Sequence, residues 1–344
     1  MPDEAQVKTQ QTGLPNVVVI GTGGTISLDG RHSLDTYEYV DLGQRHTVDD
    51  IVARFPELAK AARVRPINFR LLSSSAVSSD DWLELNDLIH RLAEGPDATD
   101  GIVVTHGTGT MEETAYFLNL TLKTSLPVVL VGAQRPLNAL GSDSGLNLLG
   151  AVRTAGSPAA RGVGVLVLLN EEIQAAREVT KTSTHRLETF RSPDLGMLGY
   201  ADPDGRIAIY RRPARRHAPD TEFDVRGLAP LPRVDIVPVY AGADGTAIEA
   251  SVGAGAQGLV VAGLAPGLAT PPQRQALAAA QKAGVLVVMS TRAGSGRVLR
   301  RDSMRDQGIV AADNLNPQKA RVLTMLALTK SNEPDRVQQM FDVY

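Results

Sequence analysis

The sequence predicts an α/β protein built from two α/β domains. Its 344 residues exceed the roughly 100–200 residues of a usual single domain. Short runs rich in valine, isoleucine and leucine, bounded by turns, are typical of strands buried on both faces of a mainly parallel sheet. These runs are Val17–Ile20, Ile102–Val104, Val128–Val131 and Val163–Leu169 in a larger N-terminal domain, and Val234–Tyr240, Leu259–Ala262 and Val285–Met289 in a smaller C-terminal one.

Helical spacing separates these runs, so helices are expected on both faces of each sheet. One helix start is predicted at Ser79-Asp80-Asp81. A capping box formed by Thr110 and Glu113 is predicted at the start of another helix. Pro272–Ala283 and Pro317–Leu328 are predicted helices of the second domain. Between Arg211 and Arg233 the chain becomes rich in proline and charge without periodicity. We therefore predict domains at residues 15–212 and 233–344, joined by a linker at residues 213–232.

The composition excludes several classes of protein. With 35 basic and 38 acidic residues, the chain lacks the excess positive charge that binding to nucleic acid requires. The absence of cysteine excludes disulfides, thiolate-bound zinc and a cysteine nucleophile. The longest uncharged stretch, residues 250–273, is interrupted by glycine and proline, unlike a membrane-spanning helix. The polar N-terminus has no signal-peptide pattern, which favours a cytoplasmic protein, or a periplasmic one if a leader was removed.

A glycine-rich loop, Gly21-Thr22-Gly23-Gly24-Thr25, follows the first predicted strand. Such a turn could present hydroxyls and backbone N–H groups to a ligand, although it could also be only a structural turn. A dinucleotide-binding fingerprint would need glycine or alanine where Ile26 stands, and a phosphate-binding loop would end in Gly-Lys-Ser/Thr. Neither nucleotide pattern is therefore satisfied.

A second hydroxyl-rich loop runs from Thr105 to Thr110, between a strand and a helix. Thr108 in this loop lies next to the predicted helix N-terminus, where N–H groups and the helix dipole favour a carboxylate or a developing oxyanion. A threonine hydroxyl is a weak nucleophile until a base takes its proton. Lys181 is a candidate base if burial lowers its pKa, although spacing alone strongly favours a surface lysine.

The histidines do not show the spacing of a metal site. His106, His185 and His217 are far apart in the chain and lack ligand spacing, so a structural or exposed role is expected for each. No motif implies a cofactor.

Four motifs taken together resemble the bacterial-type L-asparaginases and glutaminase-asparaginases. They are, in chain order, GTGGTI, THGTGTMEETAYFL, GAQRP and VTKTSTHRLETF. Segments such as LNPQKARVL extend the resemblance over nearly the whole chain. The resemblance implies a homotetramer, a dimer of close dimers with sites between subunits, that acts on a small-molecule amide without a cofactor.

The resemblance also implies roles for individual residues. Thr25 matches the nucleophile, and Thr108 matches the second threonine, which works with Lys181. Tyr37 matches the tyrosine of a lid that supports the nucleophile, with Tyr39 as a close competitor. The implied reaction is attack on a carboxamide carbon, release of ammonia and hydrolysis of the acyl-enzyme, with backbone N–H groups of the loops holding the oxyanion.

The expected substrate-binding residues include departures from the family pattern. Gly24 and Ser74 match binding positions, and Ser74 aligns with the serine that holds the α-carboxylate. Gly109 stands where the family has the aspartate that grips the α-ammonium group, and Ser75 stands where it has glutamine or glutamate. In addition, the turn at residues 263–267 lacks the asparagine that periplasmic members present to a neighbouring site. Asp143 or Glu178 could supply a replacement carboxylate.

These observations leave three functions open. The leading hypothesis is hydrolysis of L-asparagine, with Gly109 marking reduced activity. The second is hydrolysis of a related amide or lactone that lacks the α-amino group. The third is a catalytically silent small-molecule binding protein, although Thr25 and Lys181 are both retained.

Overall fold

The fold is seen in a computed structural model that describes residues 13–97, 99–228 and 230–344. An eight-stranded sheet and a four-stranded parallel sheet, both flanked by helices, confirm the predicted α/β class. The larger sheet has the order β12-β11-β8-β7-β6-β5-β1-β4, and the smaller has the order β13-β14-β15-β16. The strands of the larger sheet are β1 (Asn16–Gly23), β4 (Arg63–Leu72), β5 (Gly101–Thr105), β6 (Val128–Val131), β7 (Val165–Leu169), β8 (Glu172–Ala175), β11 (Gly199–Ala201) and β12 (Ile207–Ile209).

The remaining strands form the smaller sheet and two short ribbons. The smaller sheet contains β13 (Val234–Pro238), β14 (Gly258–Gly263), β15 (Leu286–Thr291) and β16 (Val310–Ala311). The two-stranded ribbons pair β2 (Leu28–Asp29) with β3 (Gln44–Arg45), and β9 (Thr180–Lys181) with β10 (Phe190–Arg191).

The helices lie between the strands, as the spacing of apolar residues predicts. The N-terminal part contains α1 (Tyr39–Leu42), α2 (Val48–Arg54), α3 (Ser79–Glu94), α4 (Met111–Thr121) and α5 (Ser144–Ala155). The C-terminal part contains α6 (Thr246–Gly253), α7 (Pro271–Lys282), α8 (Asp302–Asp306), α9 (Pro317–Leu328) and α10 (Pro334–Val343).

The core lies on both faces of the larger sheet because side chains of a strand alternate in direction. In β1, Val18 and Ile20 face a cluster with α3 and α4, whereas Val17 and Val19 face a cluster with α2 and α5. The first cluster continues through α9 into the smaller sheet. The two halves of the chain therefore share a buried apolar interface at α4 and α9.

The predicted capping box at the start of α4 is wrong. Thr110 is the N-cap residue, but its hydroxyl makes no capping bond and instead donates to the carbonyl of Ser74 at 2.9 Å. The reason is tertiary, because the loop after β4 offers an acceptor that the local helix does not. The predicted cap near Ser79 lies one residue earlier, where Ser78 and Asp81 form a capping box.

Among the described residues, the segment from Arg211 to Arg233 contains neither helix nor strand. Within the same described ranges, none of the helices is both long enough and apolar enough to span a bilayer.

The topology places the functional loops at one edge of the larger sheet. The strands β4, β1, β5 and β6 are parallel neighbours, so their carboxyl ends point the same way. Loops at the carboxyl ends of parallel strands are where open α/β sheets bind ligands. The loops after these four strands carry Ser74, Thr25, Thr108 and Gln134, respectively.

Candidate active site

One cavity at this edge of the sheet brings together most of the predicted site residues. It encloses about 860 Å³, part of which opens to solvent. Of the residues predicted from sequence, the lining contains Gly24, Thr25, Tyr37, Ser74, Thr108, Gly109 and Lys181. Ser75 does not line the cavity; its side chain is exposed, and its hydroxyl pairs with that of Ser73 at 3.0 Å.

The tyrosine that contacts the first threonine is Tyr39. Its hydroxyl lies 3.2 Å from Thr25 Oγ1, and its side chain is 8% exposed. Tyr37, which the sequence analysis favoured for this contact, is 71% exposed at the rim of the cavity and makes no bond to Thr25. Burial raises the pKa of Tyr39 above its ordinary value, and the bond to Thr25 opposes this rise. The phenol is therefore protonated at neutral pH and can donate a hydrogen bond.

The second threonine is paired with the predicted base. Lys181 Nζ donates to Thr108 Oγ1 at 2.7 Å. Thr108 lies three residues before α4, and Lys181 lies in β9, so the contact joins two separate elements. Burial lowers the pKa of Lys181 from its ordinary value. This shift favours the neutral amine, which is the form that can accept a proton.

The two threonine loops pack so closely that glycine is required between them. Gly24 has a φ of +86°, and a Cβ there would lie 2.4 Å from the backbone of Gly107. Any side chain at position 24 would push the loops apart, and the two threonines with them. The first loop is therefore a structural turn at Gly24, whereas its Thr25 faces the cavity.

His106 stabilises the second loop as an uncharged residue. It is 1% exposed, and burial lowers its pKa to about 4. Its Nδ1 lies 2.8 Å from the carbonyl of Gly107, and its Nε2 lies 3.0 Å from the hydroxyl of Thr114. Thr114 in turn accepts from the indole N–H of Trp82 at 2.8 Å. This chain of bonds agrees with the structural role expected from the sequence.

Gly109 leaves a space that Ser74 occupies. A Cβ at position 109 would lie 2.7 Å from Ser74 Oγ. Gly109 does not adopt a positive φ, so its backbone does not require glycine. The position could therefore carry a side chain if the Ser74 hydroxyl rotated.

The lining of the cavity includes the nitrogen-bearing side chains of Arg45, Lys181 and His185. Within the described part of the chain, no carboxylate contributes to the lining. The two acidic residues considered as replacements are used elsewhere. Asp143 accepts from the backbone N–H groups of Gln134 and Arg135, and Glu178 is paired with Arg211. Neither carboxylate lines the cavity.

Three lining or supporting residues were not assigned a role from the sequence. Arg45 lies in a short ribbon with no motif, so no signal pointed to it. Gln134 and Glu112 lie inside the motifs GAQRP and TMEE, but their direction depends on the fold. Gln134 is 8% exposed, and its Nε2 has no protein partner within the described residues. Glu112 is 4% exposed and accepts from the backbone N–H of Lys181 at 2.9 Å.

Comparison with known proteins finds matches over nearly the whole chain. A family model described as "Asparaginase, N-terminal" matches residues 16–215, and one described as "Glutaminase/Asparaginase C-terminal domain" matches residues 233–341. L-asparaginase 2 of Escherichia coli (strain K12) is 42% identical over 334 residues, which cover 96% of this chain and 94% of that protein. Glutaminase-asparaginase of Pseudomonas fluorescens biotype A is 40% identical over 350 residues, covering 100% of this chain and 95% of that protein.

A solved structure has the same fold. The crystal structure titled probable cytoplasmic L-asparaginase from Campylobacter jejuni superposes with a TM-score of 0.91 at 40% sequence identity. The match covers 96% of this chain and 100% of that one. With both halves of the sequence matched, and relatives aligned over nearly their full length, the chain belongs to the asparaginase family.

Proposed function

We propose that this protein is an amidohydrolase that converts L-asparagine, or a close analogue, to the acid and ammonia. The observation that carries the proposal is the meeting of two threonine hydroxyls in one cavity, each with its own partner. Thr25 is paired with Tyr39 and Thr108 with Lys181. Relatives named L-asparaginase and glutaminase-asparaginase support the same chemistry.

The proposed reaction has two steps. In the first, Thr25 Oγ1 attacks the carboxamide carbon, the C–N bond breaks, and the hydroxyl proton leaves with nitrogen as ammonia. In the second, Lys181 acts through Thr108 to take a proton from water, and the resulting hydroxide attacks the ester carbon. The bond to Thr25 Oγ1 breaks, and the proton held by the lysine returns through Thr108 to Oγ1, which restores the Thr25 hydroxyl and the neutral lysine. Thr108 lies near the N-terminus of α4, where N–H groups and the helix dipole favour the developing oxyanion.

Ammonia release tests the proposal directly. The native protein should release ammonia from L-asparagine, and Thr25→Ala should lower turnover at least about a hundredfold because the ester cannot form. Thr246→Ala, on an exposed helix of the C-terminal domain, is the matched control and should retain native activity. If the native protein is thermally stabilised by asparagine but releases no ammonia, it is a binding protein and the proposal fails.

A second candidate substrate, raised by Gly109, can be tested against asparagine. An amide or lactone with a carboxylate but no α-amino group would leave no ammonium group unpaired in a cavity whose lining, in the described residues, has no carboxylate. Comparing L-asparagine, L-glutamine and succinamic acid separates the candidates, since succinamic acid is asparagine without its amine. Preference for succinamic acid supports the second candidate, and preference for asparagine excludes it.

We also propose that the protein forms a homotetramer, a dimer of close dimers, and works in the cytoplasm. The similar Campylobacter jejuni structure is titled cytoplasmic, whereas a Haemophilus influenzae relative is named periplasmic. Light scattering should give four times the 36.6 kDa chain mass. Cell fractionation checks the location.

A further inference from the structure

A group of polar side chains at the start of α9 lies against the segment that carries Lys181. The group consists of Asn316, Gln318 and Lys319, which we call the α9 anchor. It belongs to the C-terminal part of the chain, whereas Lys181 lies in β9 of the N-terminal part. None of its three side chains lines the active-site cavity. Any effect on catalysis therefore acts through Lys181 or its neighbours.

Lys319 binds the backbone that leads into β9. It is 2% exposed, and its Nζ donates to the carbonyl of Arg177 at 2.9 Å and to the carbonyl of Val179. Burial lowers its pKa to about 8. A buried ammonium group is costly, and a lysine in the first turn of a helix opposes the helix dipole. The stability of α9 alone does not explain why a lysine is buried here. Its hydrogen bonds to the carbonyls of residues 177 and 179 do explain it.

Glu112 connects the anchor to both members of the threonine–lysine pair. One oxygen of its buried carboxylate accepts from the backbone N–H of Lys181 at 2.9 Å. The other accepts from Asn316 Nδ2 at 3.3 Å and from Gln318 Nε2. Glu112 itself lies in the first turn of α4, just after the loop that carries Thr108. The anchor thus restrains the lysine and the helix next to the threonine through a single group.

We propose that the α9 anchor positions Lys181 against Thr108, with Lys319 and Gln318 as positioning residues. The inference rests on the proposed function, because it assigns these residues a part in the same reaction. A displacement of about 1 Å in a reacting group can cost about a hundredfold in rate. The segment from residue 177 to residue 181 is held at both ends by the contacts described above, so loosening it would move the amine directly.

The main test is Lys319→Met, which keeps an unbranched side chain, one atom shorter, but removes its N–H donors. We expect kcat to fall about ten- to a hundredfold, with KM within about threefold, because the anchor does not touch the cavity. Lys123→Met is the matched control. Lys123 also donates to a backbone carbonyl, that of Thr221, but lies just beyond the opposite end of α4. Its variant should retain the native kcat.

A second readout does not depend on turnover. Competitive acetylation followed by mass spectrometry gives the pKa of Lys181 from the pH dependence of its labelling. In Lys319→Met the loosened segment should admit water, so the pKa of Lys181 should rise toward 10.5, the ordinary value for lysine. An unchanged Lys181 pKa in folded Lys319→Met would overturn the inference. If the native protein releases no ammonia at all, the proposed function fails, while the labelling still decides the role of the anchor.

Gln318→Ala covers the case in which Lys319→Met does not fold. Gln318 is only partly buried, and alanine is compatible with the first turn of a helix. The variant loses one bond to Glu112, so kcat should fall roughly three- to tenfold, with the Lys181 pKa raised in the same direction. Native values of both quantities would count against the anchor.

Discussion

Gly109→Asp should shift the substrate preference of this protein toward amino-acid amides. The new carboxylate would enter a cavity whose lining, in the described residues, has no other carboxylate. A charge-assisted hydrogen bond to the α-ammonium group contributes about 1.5–3 kcal/mol. The ratio of kcat/KM for L-asparagine to that for succinamic acid should therefore rise about ten- to a hundredfold.

The cost of the substitution comes from Ser74. The new Cβ would lie 2.7 Å from Ser74 Oγ, so the hydroxyl must rotate about χ1. Such adjustments cost on the order of 1 kcal/mol, and the backbone of Gly109 needs no change because its φ is not positive. The carboxylate would also raise the pKa of the nearby Lys181 and slow the reaction. Both effects act on either substrate, so they largely cancel in the ratio.

Gly109→Asn is the matched control because it adds the same Cβ without the charge. The assay is steady-state ammonia release from the two substrates by the native protein and both variants. An aspartate variant whose ratio stays within threefold of the native value would refute the argument. So would an asparagine variant with the same shift, because the effect would then be steric.

Four further outcomes are expected. Lys181→Met should lower kcat at least about a hundredfold. In the native protein the rate should rise with pH through a pKa below 10.5, because burial lowers the pKa of Lys181 and the neutral amine is the active form. A pH-independent rate would contradict this. Tyr39→Phe should lower kcat about tenfold or more by removing the hydroxyl next to Thr25. Tyr37→Phe should change kcat less than about twofold. Equal effects on kcat would remove the distinction between the two tyrosines. Because the pKa of His106 is lowered from 6.5 to about 4, the unfolded chain binds the extra proton between these values, and stability should fall as pH decreases from 6.5 to 4, by at most about 3 kcal/mol. His106→Gln should reduce that slope in urea unfolding at several pH values, and an unaltered slope would show that another group is responsible.

The sequence was sufficient to predict the site residues that lie in a recognisable motif directly after a buried strand. Thr25 and Thr108 follow parallel strands that are neighbours in the sheet, so their loops had to meet at one edge. Lys181 could be paired with Thr108 only through the resemblance, because a two-residue strand on a separate ribbon has no spacing relation to Thr108. Sequence reasoning favoured Tyr37, but it could not separate Tyr37 from Tyr39 because both lie in one polar segment. Only packing shows which ring is buried.

The sequence by itself determined the fold class, the two sheets and the loops that carry the hydroxyl groups, because buried strands and glycine turns are read from local patterns. Tertiary structure decided the partner of each hydroxyl, the bond from Thr110 to Ser74 instead of a helix cap, and which side chains line the cavity. It also brought Glu112 and Lys319 to the Lys181 segment, which lies 69 and about 140 residues away along the chain. The physical reason is that hydrogen bonds and charges act over a few ångströms in space, whatever the separation in sequence.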